Sequence, residues 1–249
     1  MKSLRVNGTV RRPGAGRRQA QAPDLPAISK GETISLALRV YESLSEGLMA
    51  GAVEPGSSLT SRSLSAALGV SATPVREALK QLESDGALTS RNKSAFFVND
   101  PDLTEFRQIT ELRLSTEGLA TRKAAETATP TDIAALRNLQ SEYEAILRST
   151  DRAPSLLPNF RFHFAIYALS ASPILIKVIR STWLRIGPML HRHIKTDHAI
   201  DSSVHIHEQI VSELERNDPV AAEAALRKDL TDAAELIYPQ LRTRLIQID

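Results

Sequence analysis

The stretch "SATPVREALKQLESDGAL", residues 71–88, decides how this chain is read. Ser71 offers a hydroxyl that can cap a helix, and Pro74 suits a helix's first turn, where its missing N–H removes no hydrogen bond. Val75, Leu79 and Leu82 recur at helical spacing and predict a buried stripe, and Gly86 ends the run. Arg76 and Lys80 stand one turn apart on the other side. A short polar turn before a basic, amphipathic helix describes either a solvated surface helix or a helix whose first turn meets something negatively charged.

The flanking sequence separates the two. Upstream, "TSRSLSAALGV" (60–70) has apolar Leu64 and Leu68, and Gly69 stands where a short helix would end in a left-handed residue. Further upstream, "ISLALRVYESLSEGLMAGAV" (34–53) spaces Leu36, Val40, Leu44 and Leu48 four apart, and "EPGSSL" (54–59) breaks it with a Pro-Gly turn. Downstream, "ALTSRNKSAFFVND" (87–100) reads as two short strands around an Arg91–Ser94 turn. Helix, turn, helix, tight turn, helix and hairpin is the order of a winged helix-turn-helix with a two-stranded wing.

That reading makes the helix beginning near Thr73 a recognition helix for the DNA major groove. Ser71, Thr73 and Pro74 form its presented turn, and Thr73 and the first N–H groups suit phosphate oxygens. Arg76 suits a guanine edge or a phosphate, with Lys80 one turn on. Arg62, at the start of the preceding helix, and Lys93, at the wing tip, are placed for the backbone. Each of these charges alone describes an ordinary solvated surface. Between residues 62 and 93, however, five basic residues face three acids.

Composition bounds the rest. The 249 residues suffice for one large domain or two modest ones, and aromatic content of 4% requires an aliphatic core. The lack of cysteine excludes disulfides, thiolate metal sites and cysteine nucleophiles, and fits a reducing, cytoplasmic setting. No apolar run approaches a membrane span, so no membrane partner is expected. The net charge of +2 is uneven: residues 1–30 hold seven basic residues against Asp24, which makes that segment +6 and the remainder −4. A basic segment rich in Gly, Pro, Ala and Gln predicts a disordered arm, which touches nucleic acid or is a neutral extension.

From Asp102 onward the pattern is helical throughout. "DLTEFRQITELRLSTEGLATRKAAE" (102–126) is expected to bury Leu103, Ile109, Leu112 and Leu119, and "TPTDIAALRNLQSEYEAILRS" (129–149) opens on a Thr129 cap and Pro130. Six helices joined by short turns predict an all-α bundle. The expected fold is therefore mostly α. A basic arm spans residues 1–30, a winged helix-turn-helix 31–100, and an all-helical domain 101–249.

The string "LTSRSLSAALGVSATPVREALKQLESDGAL" (59–88), with "EGLMAGAVEPGSSL" before it, resembles the DNA-binding domain of the GntR family of bacterial transcription regulators. One position departs from the family pattern: Ala72 stands where a basic residue is usual. The six-helix half resembles the effector domain of the family's FadR subgroup, the FCD domain. The resemblance implies a regulator that binds double-stranded operator DNA as a homodimer and answers a small carboxylate effector.

It also implies a divalent metal, Zn²⁺, Ni²⁺, Mn²⁺ or Fe²⁺, inside the bundle. Asn159 and His163, in "NFRFH", match the family's first ligand pair and share a helix face at i, i+4. His207 matches the next histidine, and Asp229, in "AAEAALRKDL", stands where the family has a third. Two imidazoles and two oxygen donors suit these metals. Without the resemblance, His163 reads as a core histidine and Asp229 as a surface acid. Arg113 and Glu117, at i, i+4, read as an intrahelical pair; the resemblance turns Arg113 toward the cavity as a carboxylate clamp. His191, His193, His198 and His205 read as structural or solvated, with His198 in a loop. Two other functions stay open: a metal-dependent hydrolase and an architectural DNA binder.

Overall fold

The computed structural model describes Leu25 and residues 35–92, 95–148, 157–190 and 197–246. The basic arm, apart from Leu25, and Lys93, His191 and His193 lie outside the described residues.

The first helix, α1 (Leu36–Met49), is capped by the Ser35 hydroxyl, which accepts from Leu38 N–H at 3.2 Å. Thr60 caps α2 (Ser61–Leu68) in the same way, and Gly69 closes it at φ 65°, ψ 31°, the left-handed residue its position required. α3 (Ala72–Ser84) buries Val75, Ala78, Leu79 and Leu82 and leaves Arg76 and Lys80 exposed. The hairpin is present as β2 (Leu88–Asn92) and β3 (Ala95–Val98). It gains a third strand, β1 (Ser58–Leu59), so the antiparallel order is β1-β3-β2, with Leu59 opposite Phe96 and Leu88 opposite Val98. The "EPGSSL" segment was expected only to turn. Two residues are too few to show a period, and the pairing comes from Phe96 and Phe97 across the sheet.

Among the described residues six helices follow: α4 (Leu103–Thr127), α5 (Pro130–Arg148), α6 (Leu157–Leu169), α7 (Pro173–Leu190), α8 (Asp197–Glu215) and α9 (Pro219–Ile246). Asp102 caps α4 by accepting from Glu105 N–H at 2.8 Å. Thr129 and Asp132 cap α5 reciprocally, each accepting from the other's N–H. His198 lies on α8, not in a loop, and His205 is exposed on the same helix.

The α4 reading needs one correction. Leu112 and Leu119 are 54% and 47% exposed. The buried face is instead Phe106, Ile109, Thr110, Arg113, Glu117, Ala120, Thr121 and Ala124. Pairing lets an arginine and a glutamate point inward, which turns the helix and puts the two leucines outside.

The two halves share one continuous apolar core, running from Val40, Leu44 and Leu48 of α1 into Ile179, Trp183 and Ile186 of α7. Where α7 meets α1 the backbones nearly touch. A Cβ on Gly187 would lie 2.6 Å from Met49 Cα and 2.7 Å from Leu48 O. Arg185 lays its guanidinium over Gly86, where α3 gives way to the sheet, and reaches Glu105 at 3.6 Å. Tyr41 of α1 donates to Asp85 at 2.6 Å.

Candidate functional site

The start of α3 has the character expected of a groove-reading element. Ser71, Ala72, Thr73, Arg76 and Lys80 are exposed together, and Arg62 is exposed at the start of α2. Two expectations change. The Ser71 side chain makes no capping hydrogen bond, so the first N–H groups of α3 are not satisfied by it. Pro74 is buried beside Val75; it packs the helix start against the core and presents nothing outward.

Within the bundle, three of the four expected metal ligands converge. His163 of α6, His207 of α8 and Asp229 of α9 each offer a ligand atom, and these atoms lie within 4.8 Å of one another. His163 Nε2 is 3.4 Å from Asp229 Oδ2, and His207 Nε2 is 3.7 Å from Asp229 Oδ1. These separations exceed an ordinary N–H···O bond of about 2.9 Å. They lie near the roughly 3.4 Å edge of a tetrahedron whose metal–ligand bonds are about 2.1 Å. His207 Nε2 is buried with no hydrogen-bond partner among the described residues, which an enclosed polar atom tolerates poorly. Asn159 is buried one turn before His163 on α6. The donor set therefore fits a first-row divalent cation.

Electrostatics point the same way. Burial pulls the His207 imidazole down to about 3, and holds His163 well below its ordinary value, with His207 and Arg113 adding to the effect. Both rings are neutral near pH 7, as metal ligands must be. Burial pushes the Asp229 carboxyl up to about 7; Arg113 opposes that shift and Glu117 adds to it. Arg113 only partly offsets the cost of enclosing a carboxylate beside two neutral imidazoles, and a divalent cation would offset more of it.

Around these ligands lies a shell of polar and aromatic contacts. Arg113 is 4% exposed; its Nε donates to Glu117 Oε1 at 2.6 Å and its Nη2 to Oε2 at 3.3 Å. The pair is thus both intrahelical and inside the bundle. The guanidinium also lies 4.9 Å from the centre of the Trp183 ring, whose buried indole N–H has no acceptor among the described residues. Tyr167 donates to Glu117 Oε2, and its oxygen lies 3.2 Å from His163 Nδ1. His207 Nδ1 lies 3.0 Å from Gln140 Oε1, and its ring stacks between Tyr143 and Phe162. Gln140, Tyr167 and Trp183 escaped the reading of the sequence. Tyr167 alone carried a signal, as the next i+4 step after Asn159 and His163.

A winged helix joined to a helical bundle with an enclosed His/His/carboxylate cluster is the architecture of a DNA-binding transcription regulator. Comparison with known proteins agrees. Residues 36–98 match "Bacterial regulatory proteins, gntR family", and residues 108–232 match the FCD domain. The HTH-type transcriptional regulator McbR of Escherichia coli K12 is 31% identical over 218 residues, covering 87% of this chain and 99% of that protein. The Nta operon transcriptional regulator of Aminobacter aminovorans is 34% identical over 132 residues, covering 53% of this chain and 62% of its own. The solved structure of E. coli McbR/YncC superposes with a TM-score of 0.76 at 30% identity, over 84% of this chain and 99% of that one. A transcriptional regulator GntR from Rhodococcus sp. RHA1, at TM-score 0.64 and 24% identity, shares the fold.

The chain belongs to the GntR family of transcription regulators, in the group that carries an FCD domain. These relatives are regulators and not enzymes, so the hydrolase reading has no support. Among the described residues no helix is long and apolar enough to cross a membrane.

Proposed function

We propose that this chain is a ligand-responsive regulator that binds operator DNA as a homodimer and holds one divalent metal in its bundle. The observation that carries the reading is the enclosed His163–His207–Asp229 cluster, in a bundle whose helix α7 lies against α1 of the winged helix. Arg62, Ser71, Thr73, Arg76, Lys80 and Lys93 serve the DNA. His163, His207 and Asp229 serve the metal, with Asn159 as a further oxygen donor. A bound cation would supply Lewis acidity toward an anionic effector. The orphan indole N–H of Trp183, beside Arg113, supports an effector with acceptor oxygens, a small carboxylate. Exposed Leu112 and Leu119, two turns apart on α4, support a self-associating surface. The residue boundaries 31–100 and 101–249 belong to the same reading.

The test has two parts. Elemental analysis of the full chain purified without chelator is expected to find one divalent ion per protomer, lost on double replacement of His163 and His207 by Ala. Selection from a random-sequence duplex pool is expected to enrich a palindrome bound by a dimer. Absence of stoichiometric metal, with no gain in melting temperature on adding Zn²⁺, Ni²⁺ or Mn²⁺, overturns the metal centre. Binding with no sequence enrichment favours an architectural DNA binder.

A further inference from the structure

Each imidazole of the cluster has a second ring nitrogen, and each of these meets a partner whose own bonding is already committed. Gln140 of α5 places its Nε2 3.1 Å from the Val204 carbonyl. A carbonyl only accepts, so the side-chain amide must turn its NH₂ group that way. The opposite face of the amide is then the oxygen, 3.0 Å from His207 Nδ1. An amide oxygen only accepts, so Nδ1 must carry the proton.

The second chain of bonds reaches the same result by another route. Arg113 holds Glu117 with two N–H groups, so Glu117 is a carboxylate and only accepts. Tyr167 gives its single hydroxyl proton to Glu117. Toward His163 Nδ1, 3.2 Å away, the phenol oxygen can therefore only accept. Nδ1 of His163 must be the donor.

We propose that Gln140 and Tyr167 are positioning residues that hold His207 and His163 in the Nδ1–H tautomer, with both Nε2 lone pairs turned toward Asp229. The inference rests on the metal-centre reading for its purpose, because two Nε2 lone pairs facing the two oxygens of an ionised Asp229 make no bond without a cation between them. Arg113 thereby gains a role distinct from gripping an effector. It fixes Glu117, which orients Tyr167, which orients His163. Outer partners of this kind fix ring orientation and raise ligand basicity, and their loss typically weakens metal binding about 10–100-fold.

The test is ¹⁵N NMR of the histidine rings in the metal-free full chain, followed by Zn²⁺ titration. In the unsubstituted chain both His163 and His207 are expected as Nδ1–H tautomers. Gln140→Leu should release His207 into a mixture containing the Nε2–H form, and Tyr167→Phe should do the same for His163. Gln140→Glu, which keeps an acceptor toward Nδ1, should retain the original tautomer of His207. Zn²⁺ affinity should fall about 10–100-fold in the Leu and Phe variants. An Nε2–H tautomer at either histidine of the unsubstituted chain overturns the proposal, as do unchanged tautomers in both variants. If both tautomers are as expected yet no Zn²⁺ or Mn²⁺ binds, the positioning stands and the metal centre falls.

Discussion

Asp229 and the two histidines titrate in opposite senses, and their balance sets how the metal-free chain responds to pH. Each histidine stays neutral in the fold while its unfolded counterpart gains a proton near pH 6.5, so its contribution is present above 6.5 and lost as pH falls. Asp229 runs the other way: its folded value of about 7 lies above the unfolded 3.8, so its contribution is lost as pH rises toward 7. Two groups oppose one, so the histidines set the sign and stability rises with pH between roughly pH 4.5 and 6. Urea unfolding of metal-free protein at pH 4.5 and pH 6 is expected to show the lower stability at pH 4.5. His163→Ala with His207→Ala should reverse the sign of the slope assigned to this cluster. His163 and Asn159 stood out in the sequence through the family resemblance; their i, i+4 spacing adds only that they share a helix face. Gln140 was not, because a glutamine in a polar helix looks solvated until α8 is seen across from it.

The uncapped start of α3 shows what helix geometry adds to individual side chains. Its first N–H groups, left open by Ser71, stand with exposed Thr73, Arg76 and Lys80, while Pro74 and Val75 anchor the other side. Arg76→Ala is expected to remove about 1–3 kcal/mol of specific DNA binding without loss of fold, read by fluorescence anisotropy on the selected operator. The affinity that remains should fall steeply with salt, because phosphate contacts release counterions. Unchanged affinity in Arg76→Ala would remove that residue from the interface. The amphipathic period of α3 was plain in the sequence because its core face is purely apolar. On α4 the same reasoning misplaced Leu112 and Leu119, because the inward face carries Arg113 and Glu117, whose mutual bonds no hydropathy pattern records. Strand β1 was hidden for a simpler reason: two residues hold no alternation to detect.

At the scale of the molecule, α7 touches both the histidine cluster and the winged helix. Trp183 lies against Arg113 and His163 on one side of it, and Gly187, one turn on, lies against the backbone of α1. Gly187→Ala forces a methyl to within 2.6 Å of Met49 Cα, where no flexible side chain can yield. Overpacking of this kind costs about 1–3 kcal/mol. Thermal unfolding should show that loss, while Zn²⁺ affinity in the bundle stays within a few fold of the unsubstituted chain. An alanine variant as stable as the parent would mean that the halves slide freely at this point.

That same near-contact bears on how regulators of this architecture could exchange parts. A helical bundle grafted from another protein would fit this winged helix only if it brought a residue without a side chain to the place of Gly187, and a long cation to cover Gly86 as Arg185 does. The junction works as a key cut by two glycines, one on each half, so recombination would succeed between chains that share the cut and jam between those that do not.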